Sequence, residues 1–353
     1  MTAPRSEYKY LTNFLHEQAA AAGVPLNGTF EVTGRCNLAC RMCYIRQGAG
    51  DLLARSRELS AAQWLSLAEQ ATAEGMLFLL LTGGEIFLRP DFLQIYEPLT
   101  VMGLNLTLYS NGTLVTPAIA RRLGMRPPNR LEVTLYGASP ETYAAVTGSA
   151  EAFHQALRGI DLLHDAGVTL AIKATLTRRN VQDLEAIRAL AHARNLPLKT
   201  GWMLTERVDG APCAIEDERL PLDEVMAMEE ADAETRAAWA AVDPAEAIEC
   251  DPMYCHAGKA AFSITPEGTM GPCMDLPLPA ARPLEVGFRP AWDAVRAYTR
   301  TVQSPEECLD CAVRSYCPSC PARNYVATRS VTSPDRHCCA IAHARQARFH
   351  ALR

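Results

Sequence analysis

The sequence predicts an α/β chain: six parallel strands alternating with helices, then a cysteine-rich extension with little regular structure. Three observations predict it. Short apolar runs alternate with helix-period segments from Thr29 to about Leu204, serines and glycines stand where those helices should begin and end, and nine of the 13 cysteines lie beyond Pro244. Alternation of this kind fits a partial barrel and an open doubly wound sheet equally well.

The strand-like runs are 29–33, 76–82, 105–110, 131–135, 169–175 and 199–204, and the helix-like stretches between them are 61–74, 91–102, 117–123, 151–166 and 181–194. Ser60 and Ser139 are the expected N-caps, and Gly75, Gly103, Gly124 and Gly167 the expected C-terminal stops. A polar, acidic stretch, 206–217, precedes one Ala/Glu-rich helix, 222–241. Residues 1–27 read as an N-terminal segment, 28–243 as the core, and 244–353 as a region stapled by its cysteines through metal.

Composition excludes several function classes. With 48% hydrophobic and 21% charged residues the chain can close a core and is too apolar for disorder. The net charge is −6 and no basic stripe interrupts it, which argues against nucleic acid. The longest apolar run, Met76 to Leu81, is far short of the roughly 20 residues of a membrane span. The polar N-terminus carries no secretory signal, so a cytoplasmic protein is expected. Clustered cysteines in a reducing compartment point to metal or redox chemistry, and their odd number argues against a fully paired disulfide framework.

The first cluster is Cys36, Cys40 and Cys43, directly after the first strand. Three thiolates within eight residues can wrap one metal centre, and three ligands leave one iron of a four-iron cluster without a protein ligand. A zinc knuckle completed from elsewhere, or a thioredoxin-like pair of Cys40 and Cys43, uses the same residues.

CxxxCxxC after the first strand of a six-fold β/α pattern resembles the radical S-adenosylmethionine (SAM) superfamily. The second strand ends in Leu81-Thr82-Gly83-Gly84-Glu85, similar to that family's glycine-rich element. The resemblance implies a partial (β/α)6 TIM-like barrel, with Gly83, Gly84 and Glu85 along the methionine moiety of SAM and Glu85 toward its ammonium. It implies ribose contacts from Ser110 and Asn111, at the end of the third strand. The residue before the third cysteine usually packs on adenine; here it is Met42. An Arg that relatives carry after the fourth strand is missing from 143–148, leaving Lys173 as the expected partner of the SAM carboxylate.

The second cluster reads Cys255, Gly268, Cys273, Cys308-x2-Cys311-x5-Cys317-x2-Cys320 and Cys338-Cys339. It resembles the SPASM extension of radical SAM enzymes, except that two residues rather than three separate Cys317 from Cys320. The resemblance implies one auxiliary cluster on Cys250, Cys255, Cys273 and Cys320, and a second on Cys308, Cys311, Cys317 and Cys338, with Cys339 competing for the last place. Paired zinc-ribbon sites use the same spacings.

The family reading therefore implies three [4Fe-4S] clusters, SAM, and an electron donor such as flavodoxin or ferredoxin. It implies a 5′-deoxyadenosyl radical that abstracts hydrogen from the substrate, with the auxiliary clusters taking the electron released afterwards. Ile86, where many members carry Pro, resembles enzymes that cross-link ribosomally made peptides. A peptide substrate, cross-linked or epimerised, is the leading expectation. With few residues before the first strand, a peptide substrate is expected to need a separate leader-peptide-binding protein or direct recognition by the barrel. A small molecule such as a haem precursor or sugar, or sulfatase maturation, is the alternative, and a zinc-stapled binding protein the non-enzymatic one. Cys213, outside both clusters, is placed as a hydrogen-atom donor for epimerisation, with Tyr109 and Tyr136 lining the cavity.

Overall fold

The computed structural model describes residues 5–242 and 252–350. Cys250 and the expected 243/244 domain division lie outside the described residues. Six parallel strands form where the apolar runs predicted them: β1 (Asn27–Thr33), β2 (Phe78–Gly83), β3 (Asn105–Ser110), β4 (Arg130–Thr134), β5 (Leu170–Thr175) and β6 (Leu198–Gly201). The extension adds β7 (Ala261–Ile264), parallel to β1, and β8 (Met270–Gly271), antiparallel to β7. The sheet runs β8-β7-β1-β2-β3-β4-β5-β6, so β8 and β6 are its two edges and the barrel is open.

The two faces of this sheet differ. Phe30, Val32, Leu79, Leu81, Leu106, Leu108, Leu131, Val133 and Ile172 are buried, and the Phe30 ring lies 4.9 Å from that of Trp64 on helix Ala61–Ala73. This is the face covered by helices. The alternate positions Glu31, Thr82, Tyr109 and Glu132 are in register across β1 to β4 and face the lumen. A parallel sheet apolar on both faces would enclose a packed core; the polar row leaves a chamber for chemistry.

Ser60 closes a capping box with Gln63, and Ser139 caps helix Pro140–Thr147. Gly124 does not end its helix. It lies inside Pro117–Met125, where a Cβ would come within 2.4 Å of the Ala166 carbonyl. The predicted 222–241 helix is broken at Asp232, whose carboxylate caps a second helix, Ala233–Ala240. An unforeseen helix, Arg5–Ala22, precedes β1.

The extension is more regular than expected. Phe288–Thr301 and Arg336–Phe349 are helices of 14 residues. Phe288, Trp292 and Val295 repeat at helical spacing and join the core that holds Phe30 and Trp64. Hydrophobic burial as well as the cysteines therefore anchors this region. No described helix is long and apolar enough to cross a membrane.

Candidate functional site

Between Thr33 and Glu58 the chain leaves β1 and carries all three cysteines of the first cluster. A buried ion network holds the base of this loop. Glu58 accepts from Arg35 Nε at 2.8 Å and from the Thr33 hydroxyl, and Arg89 ties the Val32 and Leu59 carbonyls together at 2.7 and 3.0 Å. The glycines of the second strand's end meet the same loop. Gly83 has φ +133°, and a Cβ on it would sit 2.1 Å from the Thr33 carbonyl oxygen; a Cβ on Gly84 would sit 2.3 Å from that of Arg35. Here glycine is required by approach to the cysteine loop itself. Gly84→Ala should cost about 2 kcal/mol or more through overpacking and lower iron uptake. Thermal unfolding with iron analysis checks both, and a wild-type iron content in this variant would contradict the close approach.

Glu85 is enclosed where β2 and β3 end. Its carboxylate has no exposed surface and already accepts from the Phe87 N–H (3.0 Å), the Ser110 hydroxyl (2.8 Å) and the Asn111 N–H (2.7 Å). These three bonds lock the end of β2 to the end of β3. Burial raises its pKa to about 7, and the three donors pull the other way.

The lock positions Asn111. Its side-chain amide donates to Asn37 Oδ1 at 3.0 Å and reaches Cys36 Sγ at 3.6 Å. Thr113 closes the network, its hydroxyl shared between Asn111 and Asn37. Tyr136 hydrogen-bonds Cys40. Cys36 is raised to about 11 and Cys40 higher, by burial first, with Cys43 adding to both. Cys43 is raised by burial too. Buried thiols that raise one another as anions form a donor set suited to a cationic centre, so the residues fit a metal cluster. Among the described residues no three His, Cys, Asp or Glu side chains converge as a single-ion site would require. A four-iron cluster takes one thiolate per iron, so its ligands stand further apart. Asn37, Thr113 and Glu58 were missed from the sequence, which offers no spacing signal linking them to the cysteines.

Met42 is buried in the main core. Lys173 lies in the lumen with its ammonium 4.2 Å from the Tyr109 ring centre, its pKa lowered by burial and by Lys199 and supported by Glu132. Ser110 pairs with Val133 and Val133 with Ile172, so Lys173 stands one step on, at the height of Asn111 and two strands away, about 10 Å. On the opposite wall Glu31, 3% exposed, accepts from the Tyr44 hydroxyl at 2.6 Å. Burial, then Asp275 and Glu267, raise Glu31 from its ordinary 4.5 to about 7. The folded state thus holds this proton more tightly than the unfolded chain. Its contribution favours folding below pH 4.5 and is lost as pH climbs to about 7, on the order of 3 kcal/mol. Glu31→Gln, which keeps an acceptor for Tyr44, should flatten this fall in stability between pH 5.5 and 7. Denaturant titrations across that window read it, and an unchanged slope contradicts it.

Cys213 comes close to the first cluster: with Arg41, Cys43, Arg46, Arg207 and Glu218 it lines a cavity of about 200 Å³. In the extension the cysteines form two groups. Cys320 and Cys255 both raise Cys273, after burial and Asp275, so Cys320 crosses back to the earlier pair. Arg323 lies near Cys320, Cys338 and Asp275. In the second group Cys308 is raised by burial and then by Cys339 and Cys311, and Cys317 by burial and then by Cys339 and Cys308. Of the adjacent pair competing for the last place, Cys338 is fully buried, its thiol 3.1 Å from Asp335 Oδ2 and near Cys317, while Cys339 lies near Cys308, Cys311 and Cys317.

Residues 30–191 match the model of the Radical SAM superfamily. The AdoMet-dependent heme synthase of Methanosarcina barkeri is 26% identical over 356 residues, covering 90% of this chain and 97% of that protein. The PqqA peptide cyclase of Ruegeria pomeroyi is 28% identical over 303 residues, covering 81% and 79%. Among solved structures, Streptococcus suis SuiB bound to S-adenosylmethionine superimposes with a TM-score of 0.69 at 16% identity, over 95% of this chain and 83% of that one. SuiB bound to precursor peptide SuiA gives 0.68 at 15%, over 96% and 82%.

Proposed function

We propose that this chain, a radical SAM enzyme with a SPASM-type extension, modifies a ribosomally synthesised peptide by cross-linking or epimerisation. The observation that carries the peptide reading is the likeness to a peptide cyclase over 81% of the chain, joined to a fold shared with a peptide-bound enzyme. Cys36, Cys40 and Cys43 would hold the SAM-binding cluster. Cys250, Cys255, Cys273 and Cys320 would hold one auxiliary cluster, and Cys308, Cys311, Cys317 and Cys339 the other. When bound, the first cluster and SAM supply reductive cleavage of the sulfonium and a carbon radical that abstracts hydrogen.

The chain's own residues do the rest. Asn111 and Tyr136 direct hydrogen bonds at Cys36 and Cys40, which favours the thiolate form of each. Glu85 and the glycines hold the loop in place, and Lys173 offers a cation to a carboxylate at the height of Asn111. Glu31 and Tyr44 form a buried acid–phenol pair on the wall opposite Lys173, able to hold or pass a proton within the lumen. An electron donor such as flavodoxin or ferredoxin, and a leader-binding protein, would serve the reaction.

Co-expression with candidate precursor peptides, followed by mass spectrometry, tests the reading. Cross-linking appears as loss of two hydrogens. Epimerisation appears as unchanged mass in water and deuterium uptake in heavy water, and Cys213→Ala should abolish it if that thiol returns the hydrogen. The end-to-end similarity to a heme synthase favours a second reading, a haem precursor as substrate. Turnover of such a tetrapyrrole with no peptide modified would replace the first reading with the second.

A further inference from the structure

Among the described residues the sheet ends at β6, and no described strand covers its outer edge. Ile172 N–H donates to the Pro197 carbonyl at 2.8 Å and Leu176 N–H to that of Gly201 at 2.7 Å. In a parallel ladder alternate residues bond to the same neighbour. Positions 197, 199 and 201 therefore face β5, and the N–H and C=O groups of Leu198 and Thr200 point away from it. No described strand pairs with them. Lys199, Thr200 and Gly201 are exposed. Proteins ordinarily guard such an edge with charge, proline, a bulge or a cover. The one charge on this strand, Lys199, is half-exposed and pairs with Glu132.

A groove of about 750 Å³ lies at this edge, lined by Thr200 and Trp202, by Glu185 and Arg188 of the helix before β6, and by Met228 and Asp232 beyond it. Its size falls within the range of ligand clefts. Trp202 and Met228 are half-buried and form an apolar recess for a side chain. The chain leaving β6 reaches the cysteine loop at Val208, whose N–H donates to the Tyr44 carbonyl at 3.0 Å, next to Cys43. The cavity there carries Arg41, Arg46 and Arg207; its carboxylate, Glu218, is held by Arg179 at 2.8 Å, and Arg207 is paired with Asp209, which leaves Arg41 and Arg46 to meet an acidic group.

We propose that an extended segment of the peptide substrate binds as an added strand on the outer edge of β6, with an acidic residue directed to the arginines beside Cys43. This rests on the peptide reading above and names where that peptide is held. Main-chain hydrogen bonds to Leu198 and Thr200 supply affinity, and the Trp202–Met228 recess and the arginines supply selectivity. The groove has room for a strand. A second copy of the chain would have to bring its whole barrel against the helices that line the groove.

The probe is a peptide selected from an mRNA-displayed library of short random peptides on the iron-loaded enzyme. Its binding should slow hydrogen exchange at the Leu198 and Thr200 amides. Thr200→Pro removes one outward N–H and no bond to β5, so with iron content and circular dichroism at wild-type values the probe should bind about tenfold more weakly. Replacing the probe's acidic residues by their amides should weaken binding too. A peptide that binds without protecting these amides, binds Thr200→Pro equally, or is indifferent to amide replacement overturns the edge proposal and leaves the peptide reading standing. A Thr200→Pro protein that pairs no longer as a dimer would assign the edge to a second copy and overturn it as well. Failure to select any peptide, with tetrapyrrole turnover intact, removes the peptide reading and the edge with it. Should Thr200→Pro misfold, amide protection in the unaltered protein decides the matter.

Discussion

Replacing Cys36, Cys40 and Cys43 together by alanine should strip about four irons from each chain and abolish reductive cleavage of SAM. All three sit on one loop between Thr33 and Glu58, and no other described cysteine except Cys213 borders it. The loss should be complete because each thiolate serves a different iron. The fold should survive. Arg35, Glu58 and Arg89 hold the base of the loop without help from the thiols, and alanine relieves three buried groups whose ionisation burial opposes. Iron analysis, the electron paramagnetic resonance signal of the reduced protein and anaerobic release of 5′-deoxyadenosine are the readouts. Retained 5′-deoxyadenosine formation would refute the assignment. Loss of iron from the extension as well would mean that the loop supports the whole protein, and the assignment would then rest on single substitutions.

The sheet was legible because parallel strands buried under helices need apolar runs, and five turns carried their caps in plain view. Helix Phe288–Thr301 carried an equally clear period in Phe288, Trp292 and Val295, obscured by the cysteines and prolines around it. The site was legible in residue type and less so in direction. Gly83, Gly84 and Glu85 were recognisable as a unit. Their motif does not say that the carboxylate turns inward to Ser110 and Asn111, because that depends on how the ends of β2 and β3 meet. Glu58, Asn37 and Thr113 act through partners 23 to 76 residues away, a distance at which side-chain pairing leaves no local pattern. Cys213, expected as a hydrogen donor, lines the same small cavity as Cys43. A hydrogen donor acting from there would have to approach the substrate from the Cys43 side.

The adjacent pair Cys338 and Cys339 sets the second large effect. On the helix Arg336–Phe349 neighbouring side chains diverge by about 100°, so one thiol at most can face Cys308, Cys311 and Cys317. Cys339 lies near all three, whereas Cys338 is buried against Asp335 and lies near Cys317. In a protein already lacking Cys36, Cys40 and Cys43, only auxiliary iron remains to be counted. There Cys339→Ala should remove up to about four further irons, or leave a damaged three-iron centre with its own spin signature. Cys338→Ala should keep the iron. Its cost falls on packing instead, because Asp335 loses one donor while its other oxygen still holds the His337 N–H at 2.8 Å. Thermal unfolding separates the two effects, since a loss of stability without a loss of iron marks a structural thiol. If Cys338→Ala is the variant that sheds iron and Cys339→Ala keeps it, the helix is turned by one residue in the loaded protein and Cys338 is the ligand.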